Sequence, residues 1–181
     1  MTEILFTVLQ DILFFVLLIG GGWFFGRAFY KIYKGEPVFA KKVFTATENG
    51  IYKIMGVDPK EEMTAKKYAL GILLFSVFSL IFFIAVVMLQ AFLTMNPEHI
   101  EGMSWHLAFN TAASFVTNTN WQAYSGETGL SYLSQMICLT VQNFVSGAVG
   151  IAVLFALIRG FVGRQKKTIG NCWADITRVT L

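Results

Sequence analysis

The stretch SFVTNTNWQAYSGET, residues 114–128, contains the residues of this chain most suited to binding a cation. Four successive residues in it alternate hydroxyl and amide side chains, and they can aim backbone carbonyls, which favour a partly dehydrated cation, into a cavity. These residues are Thr117, Asn118, Thr119 and Asn120. Asn is the residue with a side chain that best tolerates positive φ, a conformation that ion-binding loops often obtain from Gly. We expect Trp121 to pack the loop against its surroundings and Gln122 to brace it by hydrogen bonds.

A half-length helix is predicted over residues 104–117, so that it ends where the four cation-binding candidates begin. Ser104 is suited to its N-cap. At 1.5 Å per residue its length is about 21 Å, the size class of a re-entrant segment. Irregular backbone after such a helix is stable at membrane depth only when it is buried in protein or lines water. The negative end of the helix dipole would then face the same cavity as the loop. The alternative is an external loop with a surface helix, rich in Asn and Thr because loops are.

Three apolar segments are long enough to cross a bilayer, which takes about 20 residues. They are residues 4–25, 68–94 and 130–158. A composition of 55% hydrophobic and 14% charged residues also indicates a membrane protein. The third segment carries polar side chains, which must hydrogen-bond within a bundle because lipid offers no partners. These are Gln135, Thr140, Gln142, Asn143 and Ser146.

The first apolar segment follows Met-Thr-Glu, without the basic start or the small-residue cleavage site of a signal peptide. We interpret it as an uncleaved transmembrane helix. Asp11 within it either contacts a partner helix or lies near the membrane surface, because a carboxylate facing lipid is unfavourable.

The Lys and Arg residues are confined to two parts of the chain: nine of the 14 lie between the first two apolar segments and five lie after the third. Because cytoplasmic loops concentrate basic residues, we predict that the N-terminus and residues 95–129 are outside the cell. We expect an all-α membrane protein with three transmembrane helices, one re-entrant pore helix and a filter loop. Its parts are a first transmembrane helix (1–25), a cytoplasmic loop (26–67), a repeat of helix, pore loop and helix (68–158) and a cytoplasmic tail (159–181).

No other residues form a catalytic or metal-binding motif. The sequence has no phosphate-binding P-loop, HExxH or GxSxG motif, and neither Cys138 nor Cys172 has a CxxC or His partner at ligand spacing. We therefore expect no catalysis, no cofactor and no nucleic-acid binding, and we interpret His99 and His106 as vestibule or packing residues. Three carboxylates near the predicted pore helix would attract cations to the outer mouth. They are Glu98, Glu101 and Glu127.

The cation-binding stretch also identifies a family. Together with LSYLSQMICLTVQNFVSGAVGIAVLFALIRGF, it closely resembles the first pore repeat of the potassium-binding A subunit of the bacterial Kdp potassium-transporting ATPase. GVDPKEEMTAKKYAL resembles the start of the family's second helix, and GNCWADITRVTL resembles the approach to its next one. The resemblance covers most of the chain from about residue 50 onward. Residues 1–49 match more loosely, chiefly at KGE.

The resemblance implies a protein of the bacterial inner membrane with a potassium-channel-like architecture of four pore-loop repeats in one polypeptide. It implies that potassium, the transported substrate, enters from outside and passes to a separate P-type ATPase subunit that hydrolyses ATP. It assigns potassium binding to four backbone carbonyls and support of the filter to the two residues that follow. The carbonyls are those of Thr117, Asn118, Thr119 and Asn120, and the supporting residues are Trp121 and Gln122.

One repeat of the family's four is present in the sequence, so a single loop supplies about a quarter of a coordination ring. We therefore expect an N-terminal fragment. Its expected partners are the missing C-terminal pore repeats, the catalytic and accessory subunits of the ATPase complex, and the lipid membrane. The alternatives are a self-assembling tetrameric potassium channel module and a non-functional truncated remnant.

Overall fold

A computed structural model describes residues 2–36, 38, 41–163 and 167–181, without the side chains of residues 2–4 and 41. Over these residues the chain is helical, and the β interaction recorded there is an isolated antiparallel bridge between Thr64 and Thr168. The predicted all-α class is therefore confirmed. Arg164 and Lys166 of the basic tail lie outside the described residues.

Three helices are long and apolar enough to cross a membrane, as predicted: Leu5–Lys34, Ala65–Phe92 and Tyr132–Val162. The helices are α1 (Thr2–Lys34), α2 (Lys41–Met55), α3 (Ala65–Leu89), α4 (Trp105–Val116), α5 (Gly126–Gly129), α6 (Tyr132–Ser134), α7 (Val141–Val162) and α8 (Cys172–Thr180). A 3-10 turn at Gln90–Phe92 follows α3, and a π-helical turn at Gln135–Thr140 joins α6 to α7. The first helix thus continues past residue 25, its predicted end, to Lys34.

Residues 1–50 form one compact unit, in which the described side chains of α1 are almost all exposed. Asp11 is among them, so its predicted contact with a partner helix is not made within this unit. Near the end of α1 the Arg27 guanidinium lies 4.4 Å from the centre of the Trp23 ring, and the Lys34 ammonium lies 4.8 Å from that of Tyr30. Such aromatic and basic pairs are typical of the boundary between membrane and water.

Residues 51–181 form the second unit, whose larger core cluster lies between α3, α4 and the π-helical turn at Gln135–Thr140. Ala108 and Ala112 of α4 are completely buried, and these small side chains let α4 approach its neighbours closely. Phe83 of α3 and Phe115 of α4 place their ring centres 5.8 Å apart. This packing holds the half-length helix α4 against a long apolar helix.

The start of α3, the end of α7 and α8 meet at a buried ion pair. Asp175 is 2% exposed and accepts hydrogen bonds of 2.5 and 3.0 Å from the Arg159 guanidinium. The Tyr68 hydroxyl lies 2.9 Å from the same carboxylate and 2.8 Å from the Ala152 carbonyl, so its one proton is shared between two acceptors. Tyr68, Arg159 and Asp175 are termed the ion-pair cluster below. Because the two charges are paired and hydrogen-bonded, their burial is tolerated.

Asn171 fixes α8 to the segment that precedes α3. Its side-chain oxygen caps α8 by accepting the N–H groups of Trp173 (3.0 Å) and Ala174 (3.2 Å). Its amide nitrogen donates 3.0 Å hydrogen bonds to the carbonyls of Asp58 and Glu61. One side chain thus satisfies both the helix end and the adjoining loop.

Candidate functional site

The TNTN loop, residues 117–120, begins where α4 stops. The helix has 12 residues, so its length is about 18 Å, roughly half of what crosses a bilayer. As predicted, Ser104 lies at the N-cap in an extended conformation, although its hydroxyl makes no capping hydrogen bond within the described part of the chain. The long apolar helices of the second unit therefore flank a half-length helix and an irregular loop.

Asn118 terminates α4 in a Schellman motif, at the position that Gly usually occupies. Its N–H donates to the carbonyl of Phe115 at 3.2 Å. The N–H of Thr119 donates to the carbonyl of Ser114 at 2.9 Å. Asn118 has a φ of 59° and Asn120 a φ of 61°, both in the left-handed region. The expectation that Asn supplies positive φ in this loop is therefore confirmed.

All four backbone N–H groups of the TNTN loop are directed to the end of α4. Those of Thr117 and Asn120 donate to the carbonyls of Ala113 (3.0 Å) and Ser114 (3.2 Å), beside the two bonds just described. Among the described residues none donates a hydrogen bond to the four carbonyl oxygens of the loop, and its four side chains are exposed. Because the donors are occupied and the acceptors are not, the loop presents neutral oxygens. Such oxygens can replace part of the hydration shell of a cation.

Ser114 connects the second half of the TNTN loop to α4, a role that the sequence analysis did not assign to it. It is 3% exposed, its carbonyl accepts the N–H groups of Thr119 and Asn120, and its hydroxyl donates to the Trp121 carbonyl at 2.8 Å. The position of this Ser at the start of the quoted stretch was the available signal, because Ser hydroxyls commonly bond to nearby backbone.

The Asn118 side chain links the TNTN loop to α7. Its oxygen lies 3.2 Å from the Ser146 hydroxyl and 3.5 Å from the Asn120 amide nitrogen. The Ser146 hydroxyl also lies 2.6 Å from the carbonyl of Gln142 in its own helix. Ser146 and Gln142, two of the polar residues predicted to bond inside a bundle, are buried in the structure, whereas Asn143 is exposed.

The predicted supporting residues lie just beyond the loop. Gln122 donates to the Tyr124 hydroxyl at 2.9 Å, so its side chain braces the segment after the loop. The Trp121 side chain is 49% exposed, and its proposed packing role stays a prediction. Within the loop itself, the hydroxyls of Thr117 and Thr119 lie 2.9 Å apart.

Gln90, another residue that the sequence analysis did not single out, fastens the segments on either side of α4. It is completely buried, and its amide nitrogen donates to the carbonyls of Glu101 (2.7 Å) and Gly129 (3.0 Å). Its oxygen accepts the N–H of Ser131 at 3.1 Å. One side chain at the end of α3 therefore holds the segment before α4 and the segment before α7.

The segment before α4 also packs directly against the end of α3. The N–H of Met103 donates to the Val87 carbonyl at 3.0 Å. A Cβ at Gly102 would overlap the carbonyl oxygen of Met88, so this approach requires Gly. The loop that contains α4 is thus held by backbone contacts as well as by Gln90.

The predicted vestibule residues are exposed: His99, His106 and the three carboxylates Glu98, Glu101 and Glu127. The Ser125 hydroxyl donates to Glu127 at 2.6 Å and lowers the pKa of that carboxyl below its ordinary value. Across the described residues, no group of three His, Cys, Asp or Glu side chains is arranged to hold a metal ion.

Comparison with known proteins gives one consistent result. The model of the family described as potassium-transporting ATPase A subunit matches residues 12–181. The chain is 56% identical over 176 residues to the potassium-transporting ATPase potassium-binding subunit of Listeria monocytogenes serotype 4a (strain HCC23), a match that covers 97% of this chain and 31% of that protein.

Two further relatives carry the same description. The subunit of Clostridium botulinum (strain Eklund 17B / Type B) is 55% identical over 96% of this chain and 30% of that protein. The subunit of Pseudomonas syringae pv. tomato (strain ATCC BAA-871 / DC3000) is 53% identical over 93% of this chain and 30% of that protein. The chain thus spans less than a third of the length of the curated relatives it matches.

Proposed function

The chain belongs to the family of potassium-transporting ATPase A subunits, and from this premise we propose that it supplies the first pore loop of a potassium-selective filter. By its family and its three apolar helices it is a multi-pass membrane protein. The TNTN loop contributes one side of the filter, and the other sides come from further pore repeats of the complete subunit. In this proposal α4 is the re-entrant pore helix.

The observation that carries the proposal is the one-sided hydrogen bonding of the TNTN loop. All four of its N–H groups bond to the end of α4, while its carbonyls accept no hydrogen bond among the described residues. An array of neutral carbonyls suits an ion that exchanges water for protein oxygens, and potassium does this in channel filters. Potassium is therefore proposed to contact the carbonyls of Thr117, Asn118, Thr119 and Asn120, with Trp121 and Gln122 as supporting residues.

The chain is proposed to take no part in ATP hydrolysis. Potassium bound at the filter passes to a separate P-type ATPase subunit, which together with accessory subunits, the remaining pore repeats and the lipid membrane makes up its partners. The basic residues favour an orientation with the N-terminus outside and with residues 26–67 and 159–181 in the cytoplasm. The parts of the chain follow from this: the first transmembrane helix, the cytoplasmic loop, the pore repeat over 68–158, and the tail.

The experiment compares two variants of the complete subunit, assembled with its ATPase partner. Asn118→Gly and Asn118→Ala both remove the amide, but only Ala resists the positive φ at this position. Left-handed backbone disfavours Ala by about 1–2 kcal/mol, so we expect the potassium concentration at half-maximal ATP hydrolysis to be about tenfold higher for Ala than for Gly. A dependence on potassium equal to that of the wild type in both variants would overturn the proposal.

A second measurement separates this proposal from a self-assembling channel. The isolated chain is crosslinked in detergent and its oligomers are sized. We expect no defined tetramer, because the TNTN loop is proposed to face three other repeats. A stable tetramer that conducts potassium in vesicles would show instead that one repeat builds the whole pore.

A further inference from the structure

Two buried serines lie behind the TNTN loop, one on α4 and one on α7. We propose that Ser114 and Ser146 are positioning residues, which hold the loop carbonyls at fixed places and so determine the preference for potassium over the smaller sodium ion. The inference rests on the proposed function of the loop and adds to it the residues that control its selectivity.

Ser114 ties the second half of the TNTN loop to the end of α4. Its carbonyl receives the N–H groups of Thr119 and Asn120, and its hydroxyl donates to the carbonyl of Trp121. Ser114, which is only 3% exposed, thus accepts two hydrogen bonds and donates a third, and together they close the loop onto the helix end. Loss of the hydroxyl would leave the two backbone hydrogen bonds in place. It would release the carbonyl of Trp121, the first residue after the loop.

Ser146 contacts the loop from α7. It is 4% exposed, and its hydroxyl, which also meets the carbonyl of Gln142, lies 3.2 Å from the Asn118 side-chain oxygen. The same oxygen is the one approached by the Asn120 amide. Asn118 and Asn120, the two loop residues with positive φ, thus meet at the Asn118 side-chain oxygen, and this oxygen also contacts Ser146 of α7.

Selectivity by carbonyls depends on where the oxygens are held and how far they yield. Whether a filter discriminates by cavity size or by the number and field of its carbonyls, displacement of the oxygens changes the result. Binding groups must be held within about 0.5 Å by residues that are themselves locked by packing and hydrogen bonds. The buried Ser146 hydroxyl contacts Asn118 of the loop, and the buried Ser114 hydroxyl holds Trp121, the residue that follows the loop, so both meet this requirement.

The test uses the complete subunit assembled with its ATPase partner and compares Ser114→Ala and Ser146→Ala with Ser76→Ala. Ser76 is a matched control, because its hydroxyl bonds to the carbonyl of Ile72 four residues earlier, as that of Ser146 does to Gln142, and among the described residues it makes no hydrogen bond with the loop. ATP hydrolysis is measured against potassium and against sodium. Each loop-side variant is expected to raise the half-saturating potassium concentration about three- to tenfold, the equivalent of one hydrogen bond.

The ratio of half-saturating sodium to half-saturating potassium is the decisive readout. We expect it to fall in both loop-side variants, with the maximal rate within about twofold of wild type, and to be unchanged in Ser76→Ala. Ser146→Thr, which keeps the hydroxyl, should restore it. For Ser114, the near-isosteric Ser114→Cys provides a second variant if Ser114→Ala does not fold.

Three results are possible besides the expected one, and each has a definite meaning. In variants that fold, a sodium-to-potassium ratio equal to that of Ser76→Ala, with or without a loss of maximal rate, would overturn the inference. So would failure of Ser146→Thr to restore the ratio. A wild-type complex whose ATP hydrolysis does not depend on potassium would overturn the proposed function itself, which distinguishes the two failures.

Discussion

The TNTN loop and the ion-pair cluster are two polar regions of the same unit, but they are stabilised in opposite ways. The loop is held by neutral hydrogen bonds from its N–H groups, its side chains are exposed, and its carbonyls accept no hydrogen bond among the described residues. The cluster buries a carboxylate and a guanidinium against each other, and Asp175 is 2% exposed. A loop that is proposed to offer oxygens to an ion cannot have them occupied by a cationic side chain. An anchor between helices has no such restriction.

The difference also concerns how each region fails. A neutral hydrogen bond contributes about 1 kcal/mol, so the loop loses order in small steps. Removing one partner of a buried ion pair leaves an uncompensated charge, so a single substitution is enough to destabilise the cluster strongly. We expect changes in the loop to alter ion preference, and changes in the cluster to alter stability.

The largest effect is expected from the cluster. Asp175→Ala leaves the Arg159 guanidinium partly buried without its carboxylate, and we expect the free energy of unfolding of the complete subunit to fall by about 3–5 kcal/mol. Thermal unfolding in detergent measures this loss. At low temperature, where the variant is folded, the ratio of half-saturating sodium to half-saturating potassium should equal that of the wild type.

The matched control is the exposed pair of Lys67 and Glu61, whose side chains are each 55% exposed. Glu61→Ala removes a carboxylate from an ion pair in water, and its effect should be at most about 1 kcal/mol. Equal losses from the two substitutions would contradict the contrast drawn between a buried anchor and a solvated pair.

A second prediction concerns Gln90, which is buried like the cluster but neutral like the loop. Gln90→Leu leaves two carbonyls and one N–H without their partner, and we expect a loss of about 2–4 kcal/mol in the free energy of unfolding. Proteolysis of the segment between α3 and α7 should become faster.

Gln135 is the comparison for that variant, because it is only half-buried and donates to two carbonyls, those of Gly126 (3.2 Å) and Leu130 (3.1 Å). Gln135→Leu should therefore destabilise less than Gln90→Leu. If the two were equally harmful, the central place given to Gln90 would be wrong.

The smallest effect is a pH dependence at the cluster end of the unit. Burial is the main cause that raises the pKa of the Cys172 thiol from its ordinary 9.0 to about 11. Because the folded state holds this proton more tightly, the thiol's contribution to stability is complete below pH 9 and is lost as the pH rises through about 11. Alkylation of Cys172 at pH 8 should accordingly be slow.

The measurement uses iodoacetamide on a Cys138→Ala background, in which Cys172 is the remaining thiol among residues 1–181, and labelling is read from the peptide that contains it. Adding Asp175→Asn should speed the alkylation, since it loosens α8 around Cys172. The same alkylation rate with and without that substitution would show that the protection of Cys172 does not depend on the ion-pair cluster.

Several features of the fold were predicted from local sequence. The three long helices follow from runs of apolar residues, because a stretch of about 20 leaves a helix as the one arrangement that satisfies its backbone in lipid. The N-cap at Ser104 and the positive φ at Asn118 and Asn120 were also expected. These depend on a residue and its near neighbours, so the sequence is sufficient.

Other residues with positive φ carried no such signal. Met95 and His99 have φ values of 60° and 51°, and Met is not a residue type that favours such a value. The surrounding contacts, including the hydrogen bonds of 2.9 Å between Asn96 and Ile100, hold this turn. Tertiary structure here overrides the preference of the individual residue.

The sequence by itself thus determined the three long apolar helices, where the half-length helix stops and which loop can present oxygens, but not the helices α2 and α8. Only the tertiary structure decided that Ser146 meets Asn118, that Gln90 joins two segments, and that Tyr68, Arg159 and Asp175 form one cluster. Partners in this cluster are up to 107 residues apart along the chain. Apolar length and backbone preference are local properties. The pairing of a single polar side chain depends on which helices are brought together, and that is determined by the packing of the whole unit.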